Sequence, residues 1–238
     1  MLYRIAILGD FNPIYPTHHA LNDSIRQVTK LFSEEIQFDW IGTDIFNAGT
    51  AFHHLYSGLW IAPGSPYKNM QNVLDSIKYT RERKIPALGN CGGFQHMIIE
   101  FARNVCGITL ADHEETNPGS PDLLIEKLSC SLVEQQEALT IADKNSLLFA
   151  IIQKEKLTGK YFCSYGLNGS YVRRLQSNGL KITAFSADGQ VRAFEIADHP
   201  FFLGTLFQPA LTSSVNEPSA IIAAFVKQCM LHHHINAS

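Results

Sequence analysis

The sequence predicts an open α/β fold: a mostly parallel sheet with helices on both faces and antiparallel hairpin additions in the C-terminal half. Three observations carry this. Over the first hundred residues, short apolar runs alternate with amphipathic stretches, the texture of strands that cross over through helices to parallel neighbours. Beyond about Pro118 the texture changes, and "KITAFSADGQVRAFEIA" alternates around an Asp-Gly turn as a hairpin does. The chain has 238 residues, 45% hydrophobic and 17% charged, which suits one globular domain over residues 1–238. No repeat or low-complexity linker divides it.

The elements follow in order. "YRIAIL" is an apolar run ending in Gly-Asp, so a buried first strand leads into a loop through Pro13 and Pro16. From Thr17, helical spacing of Ala20, Ile25, Val28 and Leu31 predicts an amphipathic helix. "IQFDWIG" is a second strand, and "GLWIAPGS" a third that stops in a Pro-Gly turn. "NMQNVLDSIKYTRERK" is a helix whose basic last turn suits its dipole. "IPALG" is a fourth strand, followed by a helix from about Phe94 through "FQHMIIEFARNV". "FFLGTLF" is a further strand, and a closing helix begins near Pro218.

Composition excludes several classes of function. A formal charge of −3 without a basic block argues against nucleic acid. Five cysteines, odd in number and without a pairing pattern, read as reduced thiols of a cytoplasmic protein. "MLYRIAILGDF" lacks the cationic region and cleavage site of a signal peptide, and no segment approaches the apolar length of a membrane span. Gly9-Asp10-Phe11-Asn12 is not a dinucleotide fingerprint. His18, His19, His53, His54 and His232 to His234 stand as neighbours, which on a helix point in different directions and cannot easily share one metal. No metal and no cofactor are expected.

One stretch carries chemistry. In "GNCGGF", Cys91 sits between a strand and a helix and is flanked by glycines. A tight strand-to-helix turn exposes a nucleophile, and glycines keep Cβ atoms away from the sharp backbone. The helix N-terminus adds positive potential that lowers a thiol pKa and supplies amides to an oxyanion. The competing reading is a buried structural cysteine beside packing glycines.

"RERKIPALGNCGGFQHMIIEFARNVCGI" closely resembles the elbow and following helix of the glutamine amidotransferase domain of CTP synthase, a class I triad glutaminase of flavodoxin-like fold. "GLWIAPGSP" is similar to that family's oxyanion strand, "DHPFFLGTLFQPALTSS" to its terminal segment "DHPFF-G-QFHPEF-S", and "FCSYGLN" to its "HRYE-N". With no synthetase-type ATP domain ahead of it, the chain is expected to be a stand-alone relative. The resemblance implies Cys91 as nucleophile and Gly64, with the Gly92 amide, as oxyanion hole. It implies a substrate-binding set of Gln95, Glu115, Ser65, Tyr165 and the Ser164 position, and Asn168 matches the motif asparagine.

The departures matter as much. The family's catalytic histidine falls on Gln208 and its supporting glutamate on Ala210. The carboxylate-gripping arginine falls on Ser164, and the motif glutamate on Gly166. A glutamine does not titrate near neutral pH, so Gln208 can neither take the thiol proton nor protonate departing ammonia. His113 or Glu115, in "ADHEETNPGS", are candidate replacement acid–base groups if that loop closes over Cys91. His96 is expected to point away from the thiol, and His199 to be structural. Cys106, Cys130, Cys163 and Cys229 read as core or surface thiols, with a reservation for Cys163 beside the expected pocket.

Two readings of function stand. One is a cysteine-dependent amide or C–N hydrolase or transferase acting on a small molecule other than free glutamine. The other is a catalytically inactive, ligand-binding or regulatory homologue. PfpI-like cysteine proteins share the fold, but Gly92 after Cys91 and the "DHPFF" segment favour the CTP synthase type. A homodimer and a separate synthetase partner are left open.

Overall fold

A computed structural model describes residues 2–51 and 55–237, so His53 and His54 lie outside the described residues. The first half alternates as expected: β1 (Leu2–Leu8), α1 (Pro16–Val28), β2 (Glu35–Ile41), α2 (Ala48–Ala51), β3 (Leu59–Ile61), α3 (Met70–Glu82), β4 (Ala87–Asn90) and α4 (Gly92–Asn104). The second half holds β5 (Ala111–His113), β6 (Asp122–Lys127), β7 (Gln136–Ile141), α5 (Leu147–Ile152), β8 (Lys156–Lys160) and β9 (Tyr165–Leu167). It closes with α6 (Val172–Ser177), β10 (Leu180–Phe185), β11 (Val191–Ile196), β12 (Phe202–Thr205) and α7 (Ala220–Ala237).

Nine strands form one mixed sheet in the order β2-β1-β3-β4-β12-β11-β10-β7-β8. Its first five strands are parallel, and the four from β11 onward are joined antiparallel. β1, β3 and β4 lie inside the parallel half, and the apolar runs Ile5–Leu8, Leu59–Ile61 and Ala87–Leu88 are fully buried, as strands covered on both sides require. The helices pack in two groups, α1 and α5 against α7, and α3 against α2 and α4. β10 and β11 form the expected hairpin, with Gly189 at φ +81° in its turn.

Three expectations need correcting. The buried stripe of α1 is Thr17, His18, Leu21, Ser24 and Val28, while Leu31 lies beyond the helix in a 3-10 turn and is exposed. Helix α4 begins at Gly92, two residues before Phe94, because Cys91 itself caps it. The region from Ala111 to Leu167, for which the sequence predicted no strands, contributes a second sheet of order β5-β6-β9. That small sheet carries His113 and Tyr165 toward the C-terminal end of β4. Among the described residues no helix is long and apolar enough to cross a membrane.

Candidate active site

The site is built from the C-terminal ends of β3, β4 and β12, where an open α/β sheet leaves a crevice. Cys91 joins β4 to α4 at φ 54°, ψ −109°, a conformation that a side chain adopts only when its surroundings enforce it. The enforcement is visible. The Cys91 amide donates to the Thr205 carbonyl at 3.0 Å, and the Gln95 amide donates to the Cys91 carbonyl at 3.1 Å. Before it, buried Asn90 accepts from Trp60 Nε1 at 2.7 Å and donates to Thr205 Oγ1 at 2.8 Å, tying β4 to β3 and β12. Behind it, a Cβ at Gly93 would drive into the Ile61 carbonyl, so only glycine lets the helix start this close to β3.

The backbone amides of Gly64 and Gly92 favour the ionised Cys91 sulfur and push its pKa down. Gly64 is held at φ +107°, in the turn that follows β3. Its neighbour Pro63 accepts from His18 Nε2 at 2.9 Å, and His18 Nδ1 accepts from the Asn12 amide at 3.0 Å. His18 is therefore a neutral strut under the oxyanion loop, and burial pushes its pKa down.

A cavity of about 260 Å³ opens over the thiol. Gly64, Ser65, Cys91, Gln95, Glu115, Ser164, Tyr165 and Gln208 all line it, so eight positions singled out from the sequence meet in one place. Glu115 accepts from Ser65 Oγ at 3.0 Å, closing one side. Ser164 and Ser131 share a hydrogen bond of 2.9 Å between their hydroxyls. Gln208 is 2% exposed, and neither atom of its carboxamide has a hydrogen-bond partner. Ala210 sits in the 3-10 turn Pro209–Thr212 and does not line the cavity.

His113 is not brought to the thiol. It is fully buried, its Nδ1 accepts from the Glu115 amide at 3.1 Å, and its Nε2–H donates to Gln95 Oε1 at 3.1 Å. Gln95 Nε2 in turn donates to the Tyr165 carbonyl at 2.9 Å. This relay ties the second sheet to α4 and consumes both imidazole nitrogens. Burial, with His96 beside it, pushes the His113 pKa down to about 3, so it stays neutral. The expectation of His113 as acid or base is therefore corrected: its nitrogens are engaged away from the cavity. His96 donates from Nδ1 to the Gly92 carbonyl at 2.8 Å, stacks near His113, and is held by burial at a pKa of about 4. His199 bridges Thr80 and the Phe201 amide, the structural role expected of it.

Cys163 is the residue the sequence undervalued. It lines the same cavity as Cys91, and its thiol is the largest single influence on the Cys91 pKa. The Phe162 carbonyl lies 3.7 Å from Cys91 Sγ, so the whole Phe162–Cys163 step rests against the nucleophile. The Cys91 pKa is lowered, first by the Cys163 thiol and then by the two amides; burial and the Glu115 charge oppose them. The Cys163 pKa rises well above its ordinary value, chiefly because its proton is engaged by Cys91. The one signal in the sequence was its place in "FCSYGLN". Nothing local says that this segment folds against the elbow.

Comparison with known proteins agrees with this architecture. The class I glutamine amidotransferase family model matches residues 20–228. CTP synthases of Cytophaga hutchinsonii and Acidobacterium capsulatum are 27% and 29% identical to it, over 94% and 96% of this chain. The chain spans 44% of the length of each of those relatives. In fold it is similar to the glutaminase domain of Trypanosoma brucei CTP synthase, solved with acivicin bound, with a TM-score of 0.85 at 20% identity over 96% of this chain and 94% of that one. A glutamine amidotransferase from Methylobacillus flagellatus aligns with a TM-score of 0.59 at 10% identity, over 98% of this chain and 94% of that one. With the family model matching most of its length, the chain belongs to the class I glutamine amidotransferases.

Proposed function

We propose that this protein is a cysteine-dependent acyl-transfer enzyme, a hydrolase or transferase of amide-like carbonyl compounds, acting on a small molecule other than free glutamine. The observation that carries the reading is Cys91 itself, held in a strained elbow where the Gly64 and Gly92 backbone and the Cys163 thiol lower its pKa. A thiolate prepared in this way needs no base to become a nucleophile. The amides that stabilise it can pass to the carbonyl oxygen as the tetrahedral intermediate forms. Gln208, at the position that the resemblance assigns to histidine, supplies no acid for the leaving group, and Glu115, the candidate acid–base group that does line the cavity, accepts from Ser65 Oγ at 3.0 Å. The substrate must then lose a group that departs without protonation, one better than ammonia. Gln208 offers a donor and an acceptor to that substrate, both without partners in the protein.

The same unpartnered carboxamide also favours a second reading, ligand binding without turnover. One experiment separates the two. The protein is incubated with an activated acyl ester and, separately, with glutamine, and Cys91 is followed by peptide mass spectrometry and ammonia release by a coupled assay. We expect acylation of Cys91 by the ester, none in Cys91→Ser, and no ammonia from glutamine. An unmodified Cys91 sinks the enzymatic reading in favour of binding, and efficient glutamine hydrolysis sinks the claim about substrate.

A further inference from the structure

The acyl-transfer reading gives Cys163 no bond to make or break, although it lines the same cavity as Cys91 and follows Phe162, whose carbonyl lies 3.7 Å from Cys91 Sγ. The two thiols come from separate parts of the fold, the end of β4 and the link between β8 and β9. That link is fastened: the Leu132 amide donates to the Cys163 carbonyl at 2.9 Å, the Leu128 amide to the Ser164 carbonyl at 2.8 Å, and the Glu134 amide to the Tyr161 carbonyl at 3.1 Å. Both cysteines are nearly covered, at 6% and 8% exposure, and both line the cavity, so only a small reagent can reach them.

A stabilised thiolate beside a second, protonated thiol is the arrangement in which sulfur oxidises reversibly, because the neighbour captures the first oxidation product before it goes further. We propose that Cys91 and Cys163 form a dithiol–disulfide couple that reduces small hydroperoxides, with Cys91 as the attacking and Cys163 as the resolving sulfur. The Cys91 thiolate attacks the distal peroxide oxygen and the O–O bond breaks. Sulfur leaves as sulfenic acid, and the alkoxide or hydroxide takes up a proton as alcohol or water. Cys163 sulfur then attacks the Cys91 sulfur, the S–O bond breaks, and water departs with the Cys163 proton. The two thiols have lost two electrons to the peroxide, and an external dithiol returns them by thiol–disulfide exchange. No step calls for an imidazole or a carboxylate, which is the chemistry absent at Gln208 and Ala210. Acyl transfer and the couple share the Cys91 nucleophile, whose pKa Cys163 helps to lower; as a bond-forming sulfur, Cys163 serves the disulfide alone.

The test treats the reduced full chain with hydrogen peroxide, caps the remaining thiols and maps cross-linked peptides. A Cys91–Cys163 disulfide, lost on addition of dithiothreitol, is expected. In Cys163→Ser, whose hydroxyl keeps a donor toward Cys91, the cross-link is lost and dimedone traps Cys91 as sulfenic acid. In Cys91→Ser, Cys163 stays reduced, and dithiol-dependent peroxide consumption is lost. Absence of the cross-link in the unmodified protein overturns the proposal, whatever the variants do. If Cys91 is still acylated by the ester, that failure leaves acyl transfer standing. A cross-link formed by a protein that no ester acylates overturns acyl transfer and leaves the couple.

Discussion

The two sides of the Cys91 cavity are made of different materials. One side is backbone: the strained elbow, the Gly64 and Gly92 amides, and the struts Asn90, Thr205 and His18 that aim them. The other is side chain: Gln208, Ser164 and Glu115, hung from β12 and from the links flanking the second sheet. The backbone side has every feature that a thiolate and an oxyanion require. On the side-chain side Gln208 cannot titrate, and the Glu115 carboxylate accepts from Ser65 Oγ. Backbone geometry is fixed by the fold and survives any substitution that keeps the fold. Side-chain chemistry changes with single residues at little cost in stability. On the proposed function, the scaffold keeps Cys91 as nucleophile while its proton chemistry is rewritten.

The sharpest way to break that contrast is to find a working imidazole. His96 and His113 lie behind the elbow, buried and neutral, with pKa values of about 4 and about 3 against 6.5 in the unfolded chain. Above about pH 6.5 neither state binds the proton, and the stability these groups contribute is fully present. As pH falls below that, the unfolded chain protonates first and stability is lost, down to the folded values. By pH 5 the loss is about 2 kcal/mol from each imidazole, of the order of magnitude that linkage gives. Urea unfolding at pH 7 and pH 5 measures it. Equal stability at both would mean that these imidazoles take up protons freely in the folded state, and the two sides of the cavity would no longer differ in kind.

A smaller effect sharpens the contrast at the sulfur. Cys163→Ala removes the first of the groups that lower the Cys91 pKa. The iodoacetamide rate of Cys91, measured against pH with Cys91→Ser as control, then moves its midpoint upward. Near neutral pH alkylation slows by about tenfold, the worth of one charge-assisted hydrogen bond of about 1.5 kcal/mol. A profile unchanged by the substitution would mean that the backbone amides prepare the thiolate alone.

How legible this was follows the same division. The parallel half could be read directly, since apolar runs that end in glycine or proline and alternate with amphipathic stretches leave few other folds. The elbow was legible because "GNCGGF" concentrates its signal in six residues. The resemblance assigns the histidine, glutamate and arginine positions to Gln208, Ala210 and Ser164. The strands of residues 111–167 were not legible, because β5 and β9 have only three residues each and no period can show in so few. For the same reason the relay from His113 through Gln95 to Tyr165, and the meeting of Cys91 with Cys163, were hidden. They depend on where a second sheet docks, which no local pattern encodes.

The smallest expected effect is the most pointed. Gln208→His with Ala210→Glu puts histidine and glutamate at the two positions that the resemblance assigns to the triad, yet glutamine hydrolysis is expected to stay at background in an ammonia-release assay. The reason lies across the cavity. Among the described residues that line it none is a lysine or arginine, Ser164 is engaged with Ser131, and Glu115 is a carboxylate. A glutamine entering it would lose the hydration of its α-carboxylate and gain no cation, a cost that a new base does not offset. Efficient hydrolysis by the double variant would mean that proton chemistry alone separates this site from a glutaminase. Background activity would place the difference in what the cavity can hold, and adding Ser164→Arg would then be the change that brings glutamine in.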